Sequence, residues 1–309
     1  MTNRKAVAQE KRSGAYVLLV VAFCAAVAVC LLLAGCSGSS STKANVGSYS
    51  WAELSSISKE ISEAETDAEG MEIAESYNLI GSNGKLDGSQ TKSVTLKDGT
   101  KATVALAGIR QDTKSDGSKA GLTFVFTDAI AARGMNNDYD NTGGWEKSDM
   151  RSWLASSDFT GLLPSDLVSA AVAVNKKTNT ATEASPSQMT TTADKFWLLS
   201  VSEVSGSVSA NNLPAQCRYP ASAYNAEGSQ YQMFKNMGVS GGSDASQLIR
   251  KCVVDTESGN VMEGDPCLWW LRSMSMNWTA GYANVTDDGN PYDSWPADID
   301  LGVVPGFCV

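Results

Sequence analysis

Histidine is missing from all 309 residues. Without an imidazole there is no Ser-His-Asp or Cys-His catalysis, no histidine-ligated zinc and no imidazole pH switch. Any chemistry falls to carboxylates, Lys, Tyr, Ser or Cys. Basic residues are also in the minority, with 24 Lys and Arg against 34 Asp and Glu and a net charge of −10. An acidic surface repels phosphates and anionic lipid, which argues against nucleic acid as a partner. There is no Gly-rich phosphate loop and no Rossmann-like repeat. Charged residues make up only 19% and hydrophobic ones 42%, which fits one globular domain with accessory segments rather than a disordered chain.

The amino terminus reads as an address. Arg4, Lys5, Lys11 and Arg12 precede an uncharged run from Tyr16 to Leu33, which ends in Leu33-Ala34-Gly35-Cys36. A basic region, an apolar stretch and small residues before a cysteine are similar to the bacterial lipobox. Residues 1–36 are therefore expected to be a lipoprotein signal with lipid on Cys36. The alternative is an uncleaved transmembrane helix, since the apolar run nearly suffices to span a hydrocarbon core. Both place the rest of the chain outside the cytoplasm, anchored to the bacterial cell membrane. The leader holds four cations against Glu10, so its loss takes the net charge from −10 to −13. Residues 37–50, rich in Ser, Gly and Thr, read as a flexible tether.

That address changes the reading of the cysteines. Cys24 and Cys30 leave with the signal, and Cys217, Cys252, Cys267 and Cys308 remain. An even number in an oxidising compartment is compatible with two disulfides, with three connectivities open; Cys217 with Cys252 and Cys267 with Cys308 is the pairing preferred. Buried unpaired thiols are the alternative.

Along the folded part, Ser50 can cap a helix from Trp51, with Glu53 completing a capping box and Trp51, Leu54, Ile57 and Ile61 at helical spacing. Gly70 is expected to break it before a second helix, Met71 to Tyr77, so residues 51–80 form a short helical segment. Ser56-x-x-Lys59 has the spacing of a penicillin-recognising motif, but no companion motif follows it. From Ser93 the period shifts to two: Val94, Leu96, an Asp98-Gly99 turn and Ala102 to Ile109 predict a hairpin, and Gly121 to Phe126 another strand. Ser148 or Asp149 starts a helix carrying Met150, Trp153 and Leu154. Ala170 to Val174 and Phe196 to Leu199 read as strands, residues 176–193 as a loop, and Glu227 to Lys235 as a short helix. The fold class expected is α+β, with short antiparallel strands and two or three helices over residues 90–309.

The carboxyl-terminal part is the most distinctive. Cys267-Leu268-Trp269-Trp270-Leu271-Arg272-Ser273 and Gly302-Val303-Val304-Pro305-Gly306-Phe307-Cys308-Val309 read as buried strands around a segment dense in Trp, Tyr, Asn and Asp. With Gly143-Gly144-Trp145-Glu146, Arg151-Ser152-Trp153-Leu154 and Lys195-Phe196-Trp197-Leu198, these runs resemble an uncharacterised family of secreted bacterial domains. That family in turn resembles the C-type-lectin-like fold, in its formylglycine-generating-enzyme and phage-receptor branch. The resemblance implies a C-type-lectin-like domain over residues 90–309 whose ligand face lies at residues 274–300.

Three sites are candidates. Trp278, Tyr282, Asn284, Asn290, Tyr292 and Trp295 combine flat rings with amides, the chemistry of glycan sites and Tyr-rich paratopes, against the alternative that the tryptophans are core. Asp138, Asp140, Thr142 and Asp149 follow the oxygen spacing of a calcium loop, with Gly143 for the bend, against the simpler reading of a turn before a helix cap. Calcium is the one cofactor candidate. A cysteine-dependent oxidase would need a reactive pair, and neither Cys267 nor Cys308 has electropositive sequence neighbours. The resulting expectation is a non-enzymatic, lipid-anchored surface protein that binds an extracellular glycan or protein through its aromatic and Asn-rich face. A formylglycine-generating-type oxidase or a purely structural envelope module are the alternatives.

Overall fold

A computed structural model describes residues 41–180, 188–212, 221–241, 245–254, 261–275 and 278–309. Residues Thr42–Val309 form one compact unit. Its strands are β1 (Thr91–Thr95), β2 (Lys101–Ile109), β3 (Leu122–Phe126), β4 (Ala131–Arg133), β5 (Val174–Asn179), β6 (Met189–Asp194) and β7 (Phe196–Leu198), then β8 (Arg250–Lys251), β9 (Pro266–Cys267), β10 (Trp269–Met274), β11 (Gly281–Val285), β12 (Asp293–Pro296), β13 (Leu301–Val303) and β14 (Pro305–Cys308). The α-helices are α1 (Trp51–Glu63), α2 (Asp67–Ser76), α3 (Gly144–Lys147), α4 (Asp149–Leu154), α5 (Ser157–Thr160), α6 (Ser165–Ala170), α7 (Val201–Ser205), α8 (Ala221–Asn225) and α9 (Gln232–Asn236). The class is α+β, as expected. Seven of these helices lie beyond residue 90 rather than two or three, because pieces of four to six residues are too short to show a helical period. Among the described residues no helix is long and apolar enough to cross a membrane.

Two five-stranded sheets carry the unit, ordered β1-β2-β3-β14-β7 and β12-β11-β10-β13-β4. The last nine residues serve both. Leu301–Val303 pairs with β4 and, in parallel, with β10, and after Val304 the run Pro305–Cys308 enters the first sheet between β3 and β7. Such a strand is buried on both faces, which is why it is apolar throughout rather than alternating. Gly302 has no room for a side chain: a β-carbon there would lie 2.8 Å from the Ala129 side chain and 3.0 Å from Cys267 Sγ.

The helical segment is part of the same core. Ser50 Oγ accepts from Glu53 N at 3.2 Å, and Ser50 N donates to Glu53 Oε2 at 2.7 Å, the capping box anticipated from sequence. The helix turns Trp51, Leu54, Ile57 and Ile61 inward. Trp51 packs edge-on against Phe124 and Phe307, with ring centroids 5.4 and 5.6 Å away. Gly70 does not end a helix. It lies inside α2, pressed to the Arg110 side chain, where a β-carbon would come within 2.3 Å of Arg110 Cδ. Arg110 has a left-handed backbone (φ 55°) and binds Asp67, Ile61 O and Ser62 O. Those three partners hold a conformation that L-residues disfavour.

Part of the expected tether is also built in. Asn45 caps a short turn, Val46–Ser48, that buries Val46 and leads to the buried Tyr49, while Lys43 pairs with Glu53 at 2.7 Å. Residues 176–179 and 189–193 belong to the antiparallel strands β5 and β6 where a loop is expected, and the strand expected over Ala170 to Val174 begins only at Val174, α6 ending at Ala170. Both differences concern polar or small residues whose period is weak.

Candidate functional site: a polar cleft over a buried charge cluster

Alternation along β5 turns Lys176 and Thr178 inward and leaves Lys177 exposed. The buried Lys176 ammonium meets Asp112 Oδ1, Glu203 Oε1 at 3.1 Å and Tyr231 OH at 2.8 Å, and lies 3.9 Å from the centre of the Trp197 ring. From β10, Arg272 reaches the same carboxylate. Its Nη1 donates to Glu203 Oε2, its Nη2 to Glu203 Oε1 at 3.0 Å, and its remaining donors to Leu198 O at 2.9 Å, Lys177 O at 3.2 Å and Thr178 Oγ1 at 3.2 Å. A guanidinium can be wholly buried only when its donors are met in this way.

Glu203 is placed by α7. Ser200 N donates to its Oε2 at 3.0 Å while its own N–H donates to Ser200 Oγ, a second capping box. Burial raises its pKa, but Arg272 and Lys176 outweigh burial and hold the carboxyl at about 2. Asp112 accepts from Thr123 Oγ1 at 2.7 Å and from Tyr231 OH at 3.0 Å. Burial, then Asp112 and Glu203, push the Tyr231 phenol well up, so it stays a neutral donor.

Glu227 is the remaining acid. Its carboxylate accepts from Asn179 N at 3.0 Å, from Asn179 Nδ2 and from Ser273 Oγ. Burial dominates over Arg272 and these hydrogen bonds and lifts it from an ordinary 4.5 to about 7. Asp112 and Glu203 balance Lys176 and Arg272, so the protonation of Glu227 decides whether the cluster is neutral or carries one negative charge.

A cleft of about 500 Å³ opens over this floor. Asp112, Glu203, Glu227 and Tyr231 form its base, and Gln111, Thr113, Asn175, Lys177, Thr191 and Ser229 its sides. The walls are amides, hydroxyls and one exposed ammonium. A larger hollow of about 590 Å³ lies beside α1, lined by Ser55, Lys59, Ser62, Lys114 and Val309. It has no buried ionic floor. The Ser56-x-x-Lys59 spacing beside it is occupied structurally, since Ser56 Oγ donates to Ala52 O at 3.1 Å and Lys59 pairs with Glu63.

The six aromatic and amide candidates do not share an open face. Tyr282, Asn284 and Tyr292 are buried, and Tyr292 OH donates to Ser240 O at 3.3 Å. Asn290 is half-buried and its Oδ1 accepts from Tyr292 N at 2.9 Å inside the turn after β11. Trp278 is half-buried and donates to Tyr139 OH at 3.2 Å; Trp295, at 39% exposure, is the open member and donates to Asp293 Oδ2 at 2.9 Å. For Tyr282 and Asn284 the reason is that β11 is buried along its whole length, so both its faces are covered.

The calcium candidates are turned into their own turns. Asp140 Oδ1 accepts from Thr142 N and Thr142 Oγ1 at 3.1 and 2.7 Å, and Asp149 Oδ2 accepts from Asn137 N and Asn137 Nδ2 at 2.9 and 2.6 Å. Asp138 contributes its carbonyl to Asp140 N at 2.8 Å. Among the described residues no group of three or more Asp, Glu or Cys side chains is set to hold a metal ion.

Cys36 and Cys217 lie outside the described residues. The preferred pairing of Cys267 with Cys308 is corrected: Cys308 sits in the first sheet, 3.2 Å from Thr123 Oγ1 and 3.6 Å from Asp112 Oδ2, whereas Cys267 lies against Cys252. All three are buried.

Sequence reasoning misses the cluster as a whole, though a signal exists. Arg272 interrupts an otherwise apolar run, and a charge in a buried strand needs a counter-charge. Five of its members, Lys176, Glu203, Glu227, Tyr231 and Arg272, fall inside a longer correspondence. An α+β unit with this charged floor is the class the structure defines, and residues 120–309 match a described family, the domain of unknown function DUF6273. The chain belongs to that family. No curated protein and no solved structure matches it.

Proposed function

We propose that this chain is a lipid-anchored extracytoplasmic binding protein, without enzymatic activity, that takes a hydroxyl-rich ligand of the glycan class in the cleft above Asp112, Glu203 and Glu227. The observation that carries the reading is the pairing of an open cleft with a floor of four ionisable side chains, Asp112, Glu203, Glu227 and Tyr231, all buried and held by named partners. Replacing such pairs by apolar residues is often neutral or stabilising for a fold, so their presence under an opening points to use rather than to stability. Walls of amide and hydroxyl groups match sugar hydroxyls, which both donate and accept. The address in residues 1–36 supports the location outside the cytoplasm, with the membrane as one partner through Cys36 and the glycan as the other. The domain is read as C-type-lectin-like, a reading supported by its short antiparallel strands and by a terminal segment shared between two sheets. Burial pushes the Cys308 thiol well up, which supports an inert sulfur there over that of an oxidase.

A glycan array probed with residues 42–309 tests the reading. Retention of a glycan that is lost in Asn175→Ala and Thr191→Ala is the expected result. Retention untouched by both variants, or retention of proteins in place of glycans, overturns it.

A further inference from the structure

Cys252 and Cys267 stand 15 positions apart in the chain, yet their Sγ atoms lie 2.6 Å from each other and both residues are buried. Unbonded heavy atoms rest roughly 3.5–4.0 Å apart, and bonded sulfurs at about 2.05 Å. The backbone holds the pair in place. β8 runs antiparallel to β9 with Arg250 opposite Cys267, and Cys252 continues that edge. Its N–H donates to Asp265 O at 3.2 Å, and its carbonyl accepts from Gly264 N at 2.8 Å. On the far side Gly302 closes over Cys267 Sγ. Joining the two sulfurs needs them to close by about 0.5 Å.

We propose that Cys252 and Cys267 are joined by a disulfide in the mature protein, a clamp between the end of β8 and β9 that fixes the chain entering β10. This rests on the extracytoplasmic address proposed above, because disulfides form and persist in oxidising compartments. The two thiols give up their protons, an S–S bond forms, and the two electrons released reduce the disulfide of a thiol–disulfide exchange partner to two thiols. The clamp matters to the cleft because β10 carries Arg272 and Ser273 a few residues further on. Cys308, on the other sheet, is not part of it.

Trypsin leaves both cysteines on one peptide, residues 252–272, which contains no internal Lys or Arg. The full chain, expressed in a bacterium with its own leader, is recovered from the membrane fraction and alkylated with N-ethylmaleimide under denaturing conditions. The expected peptide is unlabelled, lighter by two hydrogen atoms, and takes two labels only after reduction. Two labels before reduction, or either cysteine bridged to Cys217 or Cys308, overturns the proposal. A chain found instead in the cytoplasm refutes the address but not the clamp, which is then decided by treating the purified protein with oxidised glutathione. Closure between Cys252 and Cys267 supports it, and glutathione adducts or another pairing overturn it. Cys252→Ala and Cys267→Ala are each expected to lower Tm by about 5–10 °C, and the double variant no further. Additive losses mark packing alone and count against the bridge.

Discussion

The floor of the cleft and the segment around β11 are both built from residues that usually face water, and both are buried. They are buried in different ways. In the floor, Lys176, Arg272, Asp112 and Glu203 are buried as mutually satisfied charges below an opening. Around β11, Tyr282 and Asn284 are buried because the strand lies between β12 and β10 and is covered along its whole length. A string rich in Tyr, Trp and Asn therefore does not by itself mark a display surface, whereas buried charges gathered from four distant stretches of chain are the ground of the site proposed above.

The sharpest way to break this contrast is to remove one charge. Arg272→Met leaves Glu203 with Lys176 alone and strands the carbonyls of Leu198 and Lys177. Breaking one side of a buried ionic network costs about 3–5 kcal/mol, and chemical denaturation of the variant should show a loss in that range. A loss below about 1 kcal/mol, the level of exposed pairs, would mean that water reaches the floor and that the cluster is not what separates it from β11.

Acidity gives the next largest effect. Glu227 is raised in the folded state, so the native protein binds a proton that the unfolded chain has lost between pH 4.5 and about 7. Its contribution to stability is present below 4.5 and is lost as pH rises through 7. Glu203 is lowered to about 2, so its contribution is present above 4.5 and is lost as pH falls toward 2. Stability from the cluster should therefore peak near pH 4–5 and decline by about 2–3 kcal/mol toward neutrality, at ~1.4 kcal/mol for each tenfold difference in proton affinity between the folded and unfolded chain. Glu227→Gln should flatten the decline above pH 4.5 and leave the acid limb intact, measured as denaturation midpoints across that range.

The two regions also differ in how far they can be read from sequence. Trp51 to Ile61, the Asp98-Gly99 hairpin and the apolar terminal strands are legible because each carries a strong local period or a cap with a fixed spacing. The charge cluster is not, because Asp112, Lys176, Glu203 and Arg272 become neighbours only when distant segments converge, the ion-paired Glu203 and Arg272 being 69 positions apart. Polar alternation in β5 and β6 reads as a loop for the same reason: its inward face is lysine and threonine, satisfied by tertiary partners rather than by apolar packing. For residues 274–301 composition is legible and topology is not, since nothing local says that β11 will be covered on both sides.

Coupling within the floor provides a finer measure. Lys176 links Asp112 to Glu203, so Lys176→Met and Asp112→Asn should each destabilise, and the double variant should lose less than the two together by about 1–3 kcal/mol. Tyr231→Phe on each background separates the hydroxyl bridge from the ion pair. Strict additivity would show that the side chains are neighbours without forming one network.

The smallest effect expected lies at the open edge of the second sheet. Trp295 is 39% exposed on β12, an outer strand, and its indole N–H reaches only Asp293 two residues away. Trp295→Ala should change stability by less than about 1 kcal/mol, as surface substitutions away from special features do, and glycan retention on the array should be unchanged. Loss of retention with stability intact would move recognition from the cleft to the Trp295 edge. It would then fall to Trp278 and Tyr139, the other partly open rings near residues 274–300, to extend that edge into a binding face, and Trp278→Ala would have to reproduce the loss.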